Sequence, residues 1–130
     1  MKYLPDSNVL IGLFAGVESI STRFRHFPAN EFGLSAVVLH ELLFGAYKSR
    51  RQTENLQRLE QLRLTPVPFE AGDALRAAEI RAALKNAGRP IGPYDVLIAG
   101  QALARDLIVV TANTREFLRV QGLRVENWEA

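Results

Sequence analysis

The sequence predicts an α/β protein, a three-layer α/β/α sandwich around a mostly parallel sheet of about five strands. Short apolar runs alternate with longer amphipathic stretches along the chain, which is the order expected of repeated βαβ units. One late run, Leu107–Thr111, is apolar almost throughout, as is typical of a strand buried on both faces of a parallel sheet. The chain of 130 residues, 48% of them hydrophobic and 23% charged, is expected to form a single domain over residues 1–130.

The first half of the chain is predicted to contain two strands and four helices. In chain order these are strand Lys2–Asp6, helices Asn8–Phe14 and Val17–His26, strand Glu31–Ser35, and helices Ala36–Tyr47 and Glu54–Leu62. Ser35 is a suitable N-cap for the third helix, which carries Glu41 midway. Leu56, Leu59 and Leu62 fall on one stripe of the fourth helix.

The second half is predicted to contain three strands and three helices. In chain order these are strand Leu64–Phe69, helices Glu70–Asn86 and Tyr94–Arg105, strand Leu107–Thr111, helix Thr114–Val120 and strand Arg124–Glu126. Pro66 and Pro68 place the first of these strands at a sheet edge, where missing N–H donors are tolerated. Gly88 is a natural end for the long helix, and Pro93 suits the first turn of the next one.

Composition excludes several classes of protein. Without cysteine there is no disulfide framework, zinc ribbon or thiol nucleophile, so a metal ion would be held by oxygen or imidazole ligands. The net charge of +2 permits nucleic-acid binding without requiring it. No apolar run approaches the ~18 residues of a membrane helix and no targeting signal is visible, so we expect a soluble, cytoplasmic chain without a membrane partner.

Polar side chains cluster where the predicted strands end. These positions are Asp6, Ser7 and Asn8 after the first strand, Ser35 and Glu41 after the second, Asp95 after Gly92 and Pro93, and Thr111 and Asn113 after the strand at 107–111. In open α/β sheets these ends share one rim, so Asp6, Glu41 and Asp95 should converge. Two carboxylates ~5 Å apart at an effective dielectric of ~20 repel by roughly 3 kcal/mol. Mg²⁺ or Mn²⁺ would relieve that repulsion and could activate water against a phosphodiester.

Each acid also has a purely structural interpretation. Asp6 could cap the following helix. Glu41 could lie on an exposed stripe of its helix, and Asp95 could simply complement the dipole of its own helix. Asn113 and Glu116 have the spacing of a capping box, which is the favoured role for Glu116.

The histidines and the basic residues give weaker signals. His40 adjoins Glu41, but Phe44 stands where a zinc-protease helix would need its second histidine, so His40 and His26 are expected to be ordinary packing or surface residues. Candidate contacts for a nucleic-acid backbone, with a solvated surface as the default interpretation, are Lys48, Arg50, Arg51 and Arg89.

Together these motifs resemble the PIN-domain ribonucleases, and within them the VapC toxins of type II toxin-antitoxin systems. The resemblance spans nearly the whole chain. Its motifs are Tyr3–Ile11 (YLPDSNVLI), Ser35–Ala46 (SAVVLHELLFGA), Arg89–Asp95 followed by Ile98 and Ala99, Ile108–Phe117 (IVVTANTREF) and Gly122–Trp128. It implies a PIN-like sandwich with an acidic pocket.

The resemblance also assigns residue roles. It implies that Asp6, Glu41 and Asp95 are the catalytic acids and bind Mg²⁺ or Mn²⁺. Supporting roles fall to Ser7, Asn8, Ser35, Thr111, Asn113 and Glu116. The family often has a fourth acid where this chain has Asn113, so the chain departs from the family's ligand set at this position. Pro5 also departs from the family pattern, and its missing N–H in a central strand should cost stability.

The activity implied is metal-dependent hydrolysis of phosphodiester bonds in structured RNA, namely a tRNA anticodon loop, with initiator tRNA the favoured target, which inhibits translation. The implied partners are this RNA and a neutralising VapB-like antitoxin. A homodimer, a larger hetero-oligomer with the antitoxin, and DNA binding only through the antitoxin are also implied.

Two alternatives belong to other classes. A non-catalytic PIN-fold partner of a DNA-binding antitoxin, acting in transcriptional regulation, would use the acids to dock a partner's arginine; Asn113 and Pro5 favour it. A phospho-accepting receiver is disfavoured, because its acceptor aspartate should end the third strand, where this chain has Val67, Pro68 and Phe69.

Overall fold

The computed structural model describes residues 1–129 and contains five strands, all paired in parallel. They are β1 (Tyr3–Pro5), β2 (Gly33–Ser35), β3 (Thr65–Val67), β4 (Ile108–Val110) and β5 (Val125–Glu126). β2 pairs with β3, and β4 pairs with both β1 and β5. A single bridge between Tyr3 and Phe32 joins the two ladders, which gives the order β3-β2-β1-β4-β5. The predicted parallel sheet of about five strands is confirmed, with β3 at an edge.

The helices alternate with these strands as predicted. They are α1 (Ser7–Phe14), α2 (Glu18–Arg25), α3 (Ala36–Lys48), α4 (Gln52–Glu60), α5 (Ala71–Asn86), α6 (Pro93–Arg105) and α7 (Thr114–Phe117). Most ends lie within two residues of the prediction, but α7 stops before the predicted Val120. Glu31 was predicted in a strand and instead ends a 3₁₀ turn that begins at Ala29 after Pro28. Within residues 1–129, no helix is both long and apolar enough to cross a membrane.

The sheet is covered on both faces, which confirms the three-layer sandwich. Side chains of a strand alternate between faces, so Tyr3 and Val110 join one buried cluster while Leu4 and Val109 join the other. The first cluster is aromatic, and the Tyr3 ring lies 5.0 Å from that of Trp128. The second is the larger aliphatic core, to which α3, α5 and α6 contribute.

Pro5 lies in the central strand, at the point where the two ladders separate. The following residue, Asp6, donates its N–H to the carbonyl of Val110 at 3.0 Å on the β4 side. Neighbouring residues of a strand direct their backbone groups to opposite sides, so Pro5 turns its missing donor toward β2. Between β1 and β2, the described residues form only the bridge of Tyr3 with Phe32. The ladder is therefore interrupted on the side where Pro5 cannot donate.

Helix α6 is held firmly against α5 and β3. A Cβ on Gly100 would lie 2.5 Å from the backbone nitrogen of Ala77, so the two helices pack at backbone distance. Buried Asp73 accepts from Arg105 at 2.9 Å, and buried Gln101 donates to a carbonyl of β3 at 3.1 Å. These contacts fix the helix whose first turn contributes to the candidate site.

Candidate functional site

Asp6 is the first residue after β1 and the N-cap of α1. Its Oδ1 accepts the N–H of Val9 at 3.0 Å, and its Oδ2 accepts the hydroxyl of Thr111, which follows β4. Only 5% of Asp6 is exposed. Burial raises the pKa of Asp6, and these hydrogen bonds oppose the rise. Asp6 therefore caps its helix and also lies at the rim of the sheet.

Glu41 enters the same region from α3, whose start is fixed when Ser35 accepts the N–H of Val37 at 3.1 Å. Glu41 is half-buried rather than on an exposed stripe, and its Oε1 is buried without a hydrogen-bond partner in residues 1–129. Burial and the charge of Asp6 raise the pKa of Glu41, while a hydrogen bond from Ser7 lowers it. A buried carboxylate oxygen without a partner is costly, and a cation or a hydrogen-bond donor would remove that cost.

Asp95 lies in the first turn of α6. Burial raises its pKa to about 6, helped by the nearby charges of Asp6, Glu116 and Glu41. Gly92, the N-cap of α6, lies beside it, and a Cβ there would be in van der Waals contact with the Asp95 Oδ2 at 3.4 Å. Four carboxylates, which we call the acidic pocket, thus lie near enough to influence one another's ionisation at the carboxyl ends of the strands, where side chains distant in sequence were predicted to meet.

Asn113 lies among these acids as a donor. Its Nδ2 donates to the Oε2 of Glu116 at 2.8 Å and lies 3.4 Å from the Oδ2 of Asp95. The predicted capping box is wrong, because the Asn113 side chain makes no bond to the backbone of α7. A charged carboxylate is a stronger hydrogen-bond acceptor than a neutral oxygen. The Asn113 amide therefore donates to Glu116, and its side chain does not cap α7. The backbone N–H of Asn113 is held at 2.9 Å by the hydroxyl of Thr111.

The other predicted residues lie at varied distances from the pocket. Ser7 contacts Glu41, whereas the side chain of Asn8 is exposed and only its backbone N–H reaches Asp6. Lys48 lies about 10 Å along α3 from Glu41, at 1.5 Å per residue. Arg50 and Arg51 follow the end of α3, and Arg89 is exposed before α6.

Two rings next to the acids in the chain were not predicted as part of the site. Tyr94 and His40 pack together with ring centroids 5.5 Å apart, and each directly precedes one of the acids, Asp95 and Glu41 respectively. That shared adjacency is the signal in the sequence that could have identified the pair.

The pocket fits a hard divalent cation by the chemistry of its donors. Among residues 1–129, no three His, Cys, Asp or Glu side chains are placed closely enough to hold a metal ion as they stand. The converging atoms are nonetheless almost all carboxylate oxygens, which Mg²⁺ and Mn²⁺ prefer. A bound cation would lower the pKa of Asp95 and give the partnerless oxygen of Glu41 a partner.

Comparison with known proteins identifies the family. The model of the PIN domain matches residues 3–123. The tRNA(fMet)-specific endonuclease VapC of Shigella flexneri is 40% identical over 98% of both chains. The chain belongs to the VapC family of PIN-domain proteins. The VapC of Salmonella typhimurium with the same name is 38% identical over 98% of both chains. The DNA-bound VapBC complex of that organism contains a chain that matches this VapC-family fold with a TM-score of 0.92, at 37% identity and 98% coverage of both chains.

Proposed function

We propose that this VapC-family chain is the toxin of a type II toxin-antitoxin system and acts as a Mg²⁺- or Mn²⁺-dependent endoribonuclease. The observation that carries the proposal is the convergence of Asp6, Glu41, Asp95 and Glu116 in one pocket, with the Oε1 of Glu41 buried and partnerless. Crowded carboxylates, three of which (Asp6, Glu41 and Asp95) have raised pKa values, are typical of a site that binds a cation for catalysis.

Asp6, Glu41 and Asp95 would hold the ion, and Glu116 would assist directly or through water. A bound divalent ion would supply the charge that activates water and neutralises the scissile phosphate. The chain's own contribution is to fix the acids. Thr111 hydrogen-bonds to one oxygen of Asp6, and the amide of Asn113 holds Glu116. Hydrolysis at such a site needs no serine, cysteine or histidine nucleophile.

The substrate we propose is the anticodon loop of initiator tRNA, cut in the cytoplasm so that translation stops. The support is similarity, because the relatives from Shigella flexneri and Salmonella typhimurium are both named tRNA(fMet)-specific endonucleases. Unpaired loop nucleotides can be splayed away from the helix and placed in a pocket, whereas paired nucleotides cannot.

The partner we propose is a VapB-like antitoxin that covers the pocket and places a basic side chain among the acids. A groove of about 300 Å³ between α1, α3 and α4 leads from Glu41, and it is mostly apolar. Residues that line it are Ile11, Phe14, Leu42, Ala46 and Leu59. The similar Salmonella complex is described as DNA-bound VapBC, so we propose that a homodimer of this chain forms a larger complex whose antitoxin binds DNA.

The test uses purified, antitoxin-free protein and total bacterial RNA, incubated with Mg²⁺, Mn²⁺ or EDTA, followed by sequencing of the new 5′ ends. The expected result is a discrete cut that requires metal, is lost in Asp6→Asn and persists in Glu60→Gln, which alters an exposed acid on α4. Intact RNA with folded wild-type protein would contradict the proposal. If that protein also bound its antitoxin without metal, the chain would be a docking module.

A further inference from the structure

Helix α3 carries aromatic side chains on its solvent face, where folding does not account for them. Phe44 and Tyr47 are each 60% exposed, and His40 is exposed on the same face, since positions 40, 44 and 47 have helical spacing. Tyr94, 46% exposed at the start of α6, packs against His40. We call His40, Phe44, Tyr47 and Tyr94 the aromatic stripe. A group of neighbouring exposed rings typically marks a binding surface.

The aromatic stripe begins beside the acidic pocket and ends at the ammonium group of Lys48. At one end, His40 and Tyr94 directly precede Glu41 and Asp95 in the chain, so their backbones adjoin two acids of the pocket, and the two rings pack against each other. At the other end, the Nζ of Lys48 lies 5.0 Å from the centre of the Phe44 ring. Positions 40 to 48 span ~12 Å of helix, a length comparable to about three stacked nucleotides at ~3.4 Å each.

Rings interleaved with basic side chains suit single-stranded nucleic acid. Unpaired bases stack on aromatic faces whatever their sequence, while lysine and arginine neutralise the phosphates. A duplex keeps its base faces stacked inside and offers none to Phe44 or Tyr47. Arg50 and Arg51 follow Lys48 in the chain, and Glu54, 3.9 Å from Arg51, partly offsets the charge of Arg51.

We propose that the aromatic stripe binds the unpaired nucleotides that flank the cleaved phosphate, with their bases on the rings and their backbone passing Lys48. This inference rests on the proposed function, because it takes RNA as the substrate. It assigns substrate positioning to Phe44 and Tyr47, which do not reach the reacting atoms.

The test measures the Kd of a fluorescein-labelled single-stranded RNA by anisotropy in EDTA, which stops metal-dependent cleavage. Phe44→Leu and Tyr47→Leu keep apolar area but remove the ring, and each should weaken binding at least about fivefold. Phe44→Trp, which keeps an aromatic ring, should bind the RNA about as tightly as the wild type. Leu75→Ala, at a side chain 58% exposed on α5, is the matched control and should leave the Kd unchanged.

Cleavage kinetics in Mg²⁺ complete the test. Phe44→Leu should raise KM for the loop substrate and leave kcat near that of the wild type, because its ring lies outside the acidic pocket. An unchanged Kd in both leucine variants would overturn the proposal. A second result would also overturn it: the leucine variants change the oligomer mass measured by light scattering but not the RNA Kd. The aromatic stripe would then be the interface between two copies of the chain. If the protein cut no RNA but still bound RNA through Phe44, the proposed nuclease activity would be wrong. RNA binding by the aromatic stripe would be supported all the same.

Discussion

Asp95→Asn should stabilise the metal-free protein while abolishing cleavage. The pKa of Asp95 is raised from 3.8 to about 6 by burial and by the neighbouring carboxylates. Between these two values the folded chain binds more protons than the unfolded chain, so its free energy of unfolding falls as the pH rises through that window. Above pH ~6 the penalty for ionising Asp95 is fully present, and asparagine removes the charge that causes it.

The magnitude follows from the same two values. A rise from 3.8 to about 6 corresponds to at most about 3 kcal/mol, at ~1.36 kcal/mol for each tenfold change. Asp95 is only half-buried, so solvent screening reduces this figure, and asparagine forfeits ~0.3 to 1 kcal/mol of favourable interaction with the dipole of α6. We expect a net gain of about 1 to 2 kcal/mol, or roughly 3 to 8 °C in Tm.

The assay is thermal unfolding in EDTA at several pH values, with Glu60→Gln as the control for loss of an exposed acid. The Tm advantage of Asp95→Asn at pH ~7.5 should shrink to about a third at pH ~4.5 and vanish near pH ~3.5. Saturating Mg²⁺ should stabilise the wild type more than the variant, because only the wild type retains all the acids. A variant that gains nothing in EDTA at pH ~7.5, or gains equally at every pH, would refute the electrostatic reasoning.

Three further substitutions probe the scaffold of the site. Thr111→Val removes the hydroxyl that donates a hydrogen bond to Asp6. It should lower the free energy of unfolding in urea by about 1.5 to 3 kcal/mol and remove most of the cleavage rate, and Thr111→Ser should recover both. Arg105→Met leaves buried Asp73 with the N–H of Glu70 as a donor but without its cation, so calorimetry should show a loss of about 3 kcal/mol, while cleavage of RNA at low temperature keeps its metal requirement. Gly100→Ala places a methyl group 2.5 Å from the facing backbone of α5 and should lower the free energy of unfolding by about 1 to 3 kcal/mol; a neutral result would show that the two helices separate easily.

Much of the fold was predictable because local pattern and tertiary position agree. The run at 107–111 is apolar because β4 is buried on both faces, and the two prolines beside β3 mark it as an edge strand. Asp6 shows why the pocket could be located as well. A strand that ends in a buried acid places that acid at the rim, and the alternation of strands and helices brings such rims together.

The rest depended on contacts that sequence spacing does not encode. Asn113 and Glu116 have capping-box spacing, yet their side chains meet each other because Asp95 and the remaining acids lie opposite. The break between β1 and β2 could not be located until the register showed which neighbour Pro5 faces. The exposure of Phe44, likewise, depends on which face of α3 packs inward.

The central claim is that the acidic pocket is a metal-dependent ribonuclease site, and single-turnover cleavage of purified initiator tRNA across a Mn²⁺ titration tests it most directly. Wild type and Glu60→Gln should cut at one position in the anticodon loop, with a rate that saturates with Mn²⁺ and leaves a 5′-phosphate. Asp6→Asn, folded as judged by its unfolding transition, should not cut at any Mn²⁺ concentration. Cleavage in EDTA, or undiminished cleavage by Asp6→Asn, would contradict the account.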